Sequence, residues 1–149
     1  MKSKKMSLKW ILPLFFLVFQ AVSGQTVFGK WRTVDDRSGI AKAIVHIYNE
    51  NGLLQAKIVQ VLEKGKEDAI CTKCDDEFKN KPILGMHIFQ DLEKNHKDEY
   101  KGNKMLDPEH GMKFRGKLWL DPDNDNQLKV RGYLAFLYRT QTWYRVKEE

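Results

Sequence analysis

From residue 29 onward the chain is a succession of short runs in which apolar and polar residues alternate with a period of two. Turn-forming clusters separate the runs, and no segment sustains a period of 3.6. A helical bundle is thereby excluded. A parallel sheet is excluded too, because no helix lies between the runs to carry a crossover. The pattern is clearest near the end. Met112, Phe114, Gly116, Leu118 and Leu120 alternate with Lys113, Arg115, Lys117 and Trp119. After Asp121-Pro122-Asp123-Asn124-Asp125-Asn126, Leu128, Val130, Gly132, Leu134 and Phe136 alternate with Lys129, Arg131, Tyr133 and Ala135. Successive strand side chains face opposite ways, so each apolar series shares one face.

Eight strands are predicted on this basis, at residues 29–34, 40–48, 53–62, 83–92, 99–106, 112–120, 128–136 and 141–147. The connections carry turn chemistry. Asn49-Glu50-Asn51-Gly52 tolerates positive φ. Pro108 and Gly111 suit the two ends of a type I turn, and Tyr138-Arg139-Thr140 is taken as the last reversal. Residues 63–82 break the rhythm. They are rich in Lys, Glu and Asp, hold Cys71 and Cys74, and read as a long loop with room for a short helical turn. A sandwich would leave edges exposed and need longer crossings, whereas hairpin-length links favour a small closed eight-stranded antiparallel up-and-down barrel. The interior of such a barrel holds side chains or one small ligand. Gly116 and Gly132, both mid-strand, are expected at tight bends.

Residues 1–24 have a different character. Lys2, Lys4, Lys5 and Lys9 precede an apolar run at 10–19, and small residues follow at Ser23 and Gly24. This is the three-part pattern of a secretory leader, and the run falls well short of the roughly 20 residues a membrane span needs. The expectation is export, to the periplasm or the medium, with residues 25–149 forming one barrel domain and no membrane span in the mature protein. The charge argument depends on this division. The chain has 26 basic and 20 acidic residues; four lysines and no acids in the leader leave 22 against 20, a net +2. A near-neutral domain gives no basic footprint for nucleic acid.

Chemical motifs are sparse. Cys71 and Cys74 are expected to form a structural disulfide, as two cysteines do in an oxidising compartment. A redox dithiol at that spacing would sit at a helix start in a βαβ unit, and a zinc site would need a further ligand pair. The acidic turn 121–126 starts like a calcium loop but has Asn126 at the sixth position and Gly132 at the twelfth, so it reads as an ordinary turn. His46, His87, His96 and His110 share no ligand spacing. Ser38 lacks the context of a nucleophile. The expectation is no metal, no cofactor and no enzymatic activity. Arg131 and Arg145 are read as surface or barrel-end residues, since arginine is rarely buried. The functional alternative turns one of them into the cavity to pair with an anionic head group, beside Tyr133 and Trp143 as aromatic walls.

Several segments together resemble a known bacterial family. They are Gly29-Lys30-Trp31, Cys71-Thr72-Lys73-Cys74, Pro82-Ile83-Leu84-Gly85, Tyr100-Lys101-Gly102, residues 107–111, residues 128–133 and residues 139–145. In this order and spacing they are similar to the family called domain of unknown function 2147, over essentially all of the chain after the leader. Tyr100 stands where a Trp is expected and Ala56 where a Gly is common. The resemblance implies an exported, lipocalin-like barrel and no known activity. Gly29-Lys30-Trp31 matches the Gly-x-Trp that opens lipocalin barrels. It implies that Trp31 closes one end, with Arg145 from the last strand across its ring as a structural partner.

The leading functional expectation is a binding protein for one small apolar or amphipathic ligand, held among Ala43, Val45, Phe114, Leu118, Leu134 and Phe136. The alternation places these side chains on the apolar face. The alternatives are an envelope interaction or structural module that uses the loop around Cys71 and Cys74, and a thiol-dependent envelope enzyme. The oligomeric state is left open.

Overall fold

The computed structural model describes residues 24–147, so the predicted leader lies outside the described residues. Eight strands follow in order: β1 Gly29–Val34, β2 Ala41–Glu50, β3 Leu53–Val61, β4 His87–Lys94, β5 Tyr100–Asp107, β6 Met112–Asp121, β7 Asn124–Leu134 and β8 Leu137–Arg145. Each pairs antiparallel with its neighbour in sequence, and the sheet closes as a barrel. Closure rests on β1 against β8, with Trp31 opposite Arg145 and Arg32 opposite Tyr144. Closing the sheet removes the edge where β1 and β8 pair, at Trp31 and Arg32.

Side chains fill the barrel at one end and not at the other. Trp31, Ile47, Leu54, Leu92, Leu118 and Leu128 are fully buried in the filled end. Val27 and Phe28, just before β1, complete this end. Trp31 donates its indole N–H to the Val27 carbonyl at 2.8 Å, and the rings of Phe28 and Tyr100 meet edge to face at 5.7 Å. Burying side chains of this size contributes about 1.5–3 kcal/mol each.

The structure departs from the sequence-based expectation in four places. The fourth strand begins at His87 rather than residue 83. Gly85 takes a positive φ of 84°, and the segment caps β3 as Gly85 N–H donates to Ile58 O at 2.8 Å and Ile58 N–H donates to Met86 O at 3.0 Å. The turn at 121–126 is tighter than expected, with Asp121 already opposite Asn124. The last reversal lies at Ala135 and Phe136, and Tyr138, Arg139 and Thr140 are paired strand residues of β8. Ala135 adopts φ 53° there. An alanine in this left-handed region costs about 1–2 kcal/mol, and with no glycine or asparagine at the turn the sequence did not mark it. Finally, Gly116 and Gly132 face one another across β6 and β7 and serve close packing. A Cβ on Gly132 would lie 2.9 Å from the Phe114 ring, and one on Gly116 would lie 2.6 Å from Met105 Sδ.

Candidate functional site

The unfilled end of the barrel is an open cavity of about 660 Å³. Its floor is a stacked pair, Phe89 from β4 and Trp143 from β8, with ring centroids 5.5 Å apart and planes 10° from parallel. Both are nearly fully buried, and the Trp143 indole N–H donates to Gln141 Oε1 at 3.1 Å, so the floor offers no unpaired polar atom. The walls are aliphatic: Ala43 and Val45 from β2, Ile58 and Val61 from β3, Ile88 from β4 and Val130 from β7. Val61 faces inward because of a bulge. Opposite Ile44 and Val45 stand Gln60 and Ile58, leaving Val59 as an extra residue. One extra residue flips the faces beyond it, so Val61 takes the inward place that unbroken alternation assigns to Leu62.

Residues 62–86 form one side of the mouth and contribute Glu63, Lys66, Ala69, Ile70, Thr72 and Ile83 to the cavity lining. This long loop is held in several ways. The expected disulfide joins Cys71 and Cys74, both fully buried. Ile70 bridges to Pro82, and Cys71 N–H donates to Lys81 O at 2.9 Å. The loop also rests on the β5–β6 turn. Cys71 Sγ lies 3.0 Å from Pro108 O, a contact rather than a hydrogen bond because a disulfide sulfur carries no hydrogen. Gly111 passes so close that an added Cβ would stand 2.0 Å from Lys73 O.

Charges ring the mouth as paired sets. Lys42 Nζ donates to Glu63 at 2.7 Å and reaches Glu109 at 3.5 Å, while Lys66 also meets Glu63 at 2.7 Å. The hydrogen bond from Lys42, then that from Lys66, holds the Glu63 carboxyl below the usual carboxylate range. The same bond with Glu63 raises Lys42. Arg139 pairs with Asp36 and lies 3.7 Å from Asp35. The hydrogen bond with Arg139 lowers Asp36 and raises Arg139. Asp35 is lowered chiefly by the Ser38 backbone N–H, which it accepts at 2.8 Å. The arrangement is an apolar well beneath a polar collar. It can exclude water from an apolar group and leave a polar group at the surface. Among the described residues no group of His, Cys, Asp and Glu is arranged to hold a metal ion.

Of the residues named from sequence, Ala43, Val45, Phe114, Tyr133, Leu134 and Trp143 line the cavity. Two expectations and one alternative need correction. Leu118 faces inward but lies in the filled end, fully buried, where it packs rather than lines. Phe136 sits at the β7–β8 turn and is 90% exposed. Arg131 points outward: its Nε donates to Thr140 Oγ1 at 2.7 Å, and its guanidinium lies over the rings of Tyr138 and Trp119 at 4.5 and 5.2 Å. Trp31 and Arg145 stand at the opposite end, with the guanidinium 4.2 Å above the indole. Phe89, Val130, Ile88, Val61 and the rim charges went unpredicted. For Val130 and Ile58 the alternation was a usable signal. For Val61 the bulge hid it.

An eight-stranded up-and-down barrel with a capped end, a Trp and an Arg at its closure and an open apolar well at the other end defines a lipocalin-like protein. The chain belongs to the family described as "Uncharacterized protein conserved in bacteria (DUF2147)", whose model matches residues 29–145. A solved structure, protein HP1028 from the human pathogen Helicobacter pylori, described as belonging to the lipocalin family, shares this fold. It is similar with a TM-score of 0.67 and 18% sequence identity, over 80% of this chain and 82% of that chain. No curated protein matches the sequence.

Proposed function

We propose that this protein is an exported binding protein that holds one small apolar or amphipathic molecule in the open end of its barrel. The observation that carries the reading is the 660 Å³ well with its aromatic floor and aliphatic walls. That volume lies within the range of about 300–1,000 Å³ over which small-molecule sites hold their ligands. Apolar surface removed from water there contributes about 25 cal/mol per Å². The paired charges of the collar suit a polar head group left at the mouth. The lipocalin-like fold supports the binding reading, although fold does not by itself give function. Export is supported by the leader pattern in residues 1–24 and by a disulfide of the kind that persists in oxidising compartments. The rim carboxylates are engaged in ion pairs, which favours binding over catalysis.

Native mass spectrometry of protein purified from its own cells tests this directly. The expected result is a stoichiometric small molecule on the wild-type protein. Ala43→Leu and Ala43→Phe, which push side-chain volume into the well, should lose it progressively while remaining folded. A clean unliganded mass for the wild type, together with no uptake of fluorescent fatty-acid or retinoid probes, would remove the reading.

A further inference from the structure

The β7–β8 hairpin breaks two folding rules at one place. Residues 134–139 are six successive exposed positions, and the first five, Leu134-Ala135-Phe136-Leu137-Tyr138, are apolar or amphipathic. Leu134, Phe136, Leu137 and Tyr138 are 57%, 90%, 62% and 62% exposed. A run of that kind on a surface serves no packing purpose. The turn also takes its left-handed residue as Ala135 rather than Gly or Asn. Local preference is overridden where another demand is stronger. Across the mouth, Ile40, Ile70 and Met112 are exposed as well, so the apolar projection continues around the rim of the cavity.

Below the hairpin tip the rim of the barrel changes character. Tyr133 and Tyr138 stand opposite each other in the ladder, with ring centroids 6.1 Å apart. Arg115 lies over Tyr133 at 5.5 Å, and Arg131 lies over Tyr138 at 4.5 Å. Among the described residues neither arginine pairs with a carboxylate, and the same holds for Arg37 in the β1–β2 turn. The mouth carboxylates, in contrast, are engaged. Asp36 is held by Arg139, Glu63 by Lys42 and Lys66, and Asp107 lies 2.8 Å from the His110 ring nitrogen. Asp35 and Glu109 share the same partners, Arg139 and Lys42, so the mouth as a whole is near neutral, and its cations without a carboxylate, among the described residues, are Arg37, Arg115 and Arg131.

We infer that the mouth of the barrel docks on an anionic lipid surface, with the β7–β8 hairpin tip inserted and Arg115 and Arg131 at the level of the head groups. An apolar tip, then Tyr133 and Tyr138 with Arg115 beside Tyr133, then Arg131 follow one another along the strands. That order matches the order of hydrocarbon, interface and head group in a bilayer leaflet. At about 3.3 Å per residue, Ala135 and Phe136 at the tip stand two residues, about 7 Å along the strands, above the tyrosines. That reach fits the roughly 5–10 Å to which interfacial segments sink. The arginine guanidiniums keep contact with aromatic rings and still present donors to phosphate. Charge complementarity selects an anionic lipid surface over a neutral apolar partner. Docking in this orientation brings the cavity opening against the lipids. The inference stands on the rim, whose Tyr133, Leu134, Leu137 and Tyr138 also border the cavity, and does not require the well to hold a ligand.

Vesicle flotation tests it, with protein purified from its own cells. The vesicles are equal parts phosphatidylethanolamine and phosphatidylglycerol, with phosphatidylcholine vesicles for comparison. The wild type should float with the anionic vesicles and bind phosphatidylcholine more weakly. Phe136→Asp combined with Leu137→Asp should reduce binding at least tenfold, with Phe136→Ser as the milder variant should the double change disturb the barrel. Arg115→Gln and Arg131→Gln should each lower binding to the anionic vesicles about fivefold and leave phosphatidylcholine binding little changed. Val59→Asp, at an exposed apolar position on β3, should bind as wild type. Equal binding by wild type and the Phe136 variants, at any level, overturns the inference. So does a photo-crosslink from position 136 that captures a protein and no lipid.

Discussion

At the scale of single residues, Arg145 carries the closed end. Its guanidinium covers Trp31 and donates to three backbone carbonyls: Thr26 at 2.7 Å, Phe28 at 3.2 Å and Asp125 at 3.1 Å. It therefore ties the segment before β1 and the β6–β7 hairpin to the end of β8. Burial lowers its pKa, but an arginine stays charged across the accessible pH range. Arg145→Ala removes a cation–π contact and three hydrogen bonds to backbone carbonyls, of which the one to Phe28 is part-buried. The expected loss is about 1–3 kcal/mol of unfolding free energy, measured by urea denaturation. Arg145→Lys should recover less than half, because an ammonium cannot fork to three carbonyls across an indole face. A shift below about 0.5 kcal/mol for the alanine variant would show the contact to be incidental. The Trp31 and Arg145 pair was legible in the sequence through a motif. Leu118 and Phe136 were misplaced for a physical reason: alternation says which face a side chain takes, not how deep along the barrel it lies. Leu118 and Phe114 share a face yet serve opposite ends.

At the scale of elements, the 62–86 loop is the part least determined by pattern and most dependent on tethers. It has no strand ladder of its own beyond the Ile70 bridge to Pro82, and its one 3-10 turn, Asp76–Phe78, buries no residue. The tethers are the disulfide and the approach at Gly111, which has φ 67°. Gly111→Ala meets both a left-handed backbone and the Lys73 carbonyl, so the loop must lift. About 2–4 kcal/mol should be lost. Replacing Cys71 and Cys74 together by Ser opens a four-residue loop, for which chain entropy gives about 2 kcal/mol. In both variants amide exchange should quicken across 63–86, while β6 and β7 stay protected. Loss of protection throughout the barrel would show the loop to be integral to the fold. The strand boundaries themselves were largely readable, because hairpins with Asn-Gly or Asp-Pro announce their turns. The β7–β8 reversal was not, because its residues are those of a buried strand placed in solvent.

At the scale of the whole molecule, acid should weaken the fold by many small steps. Hydrogen bonds from Lys42, Arg139 and Lys117 hold Glu63, Asp36 and Glu99 below their ordinary values. A carboxyl depressed in the folded state binds its proton less readily there than in the unfolded chain. Its contribution is therefore full above the unfolded value, near 4–4.5, and drains as pH falls through the folded value. Lys42 and Arg139 are raised, so their contributions persist until strongly alkaline pH. The urea midpoint should be flat from about pH 5.5 to 9 and decline steadily below about pH 4.5. A midpoint unchanged down to pH 3 would mean that these pairs do not contribute. The barrel itself was the most legible level, since eight alternating runs with short links leave few other ways to close a sheet. Whether its interior held a void was not legible, because volume depends on how side chains from all eight strands meet.

The barrel is polar in the sense of a cup. The described chain comes in beneath Trp31 and goes out past Arg145, with Val146 N–H donating to Lys30 O at 2.9 Å, so both ends leave through the base and neither crosses the mouth. Anything joined directly at residue 24 or residue 147 therefore starts from the foot of the cup. A sensor chip or affinity resin that grips the barrel at residue 24 or residue 147 holds it by the foot, with its opening toward the solution. Ligands and vesicles can then be offered to a uniformly oriented layer without first asking whether the handle blocks the door.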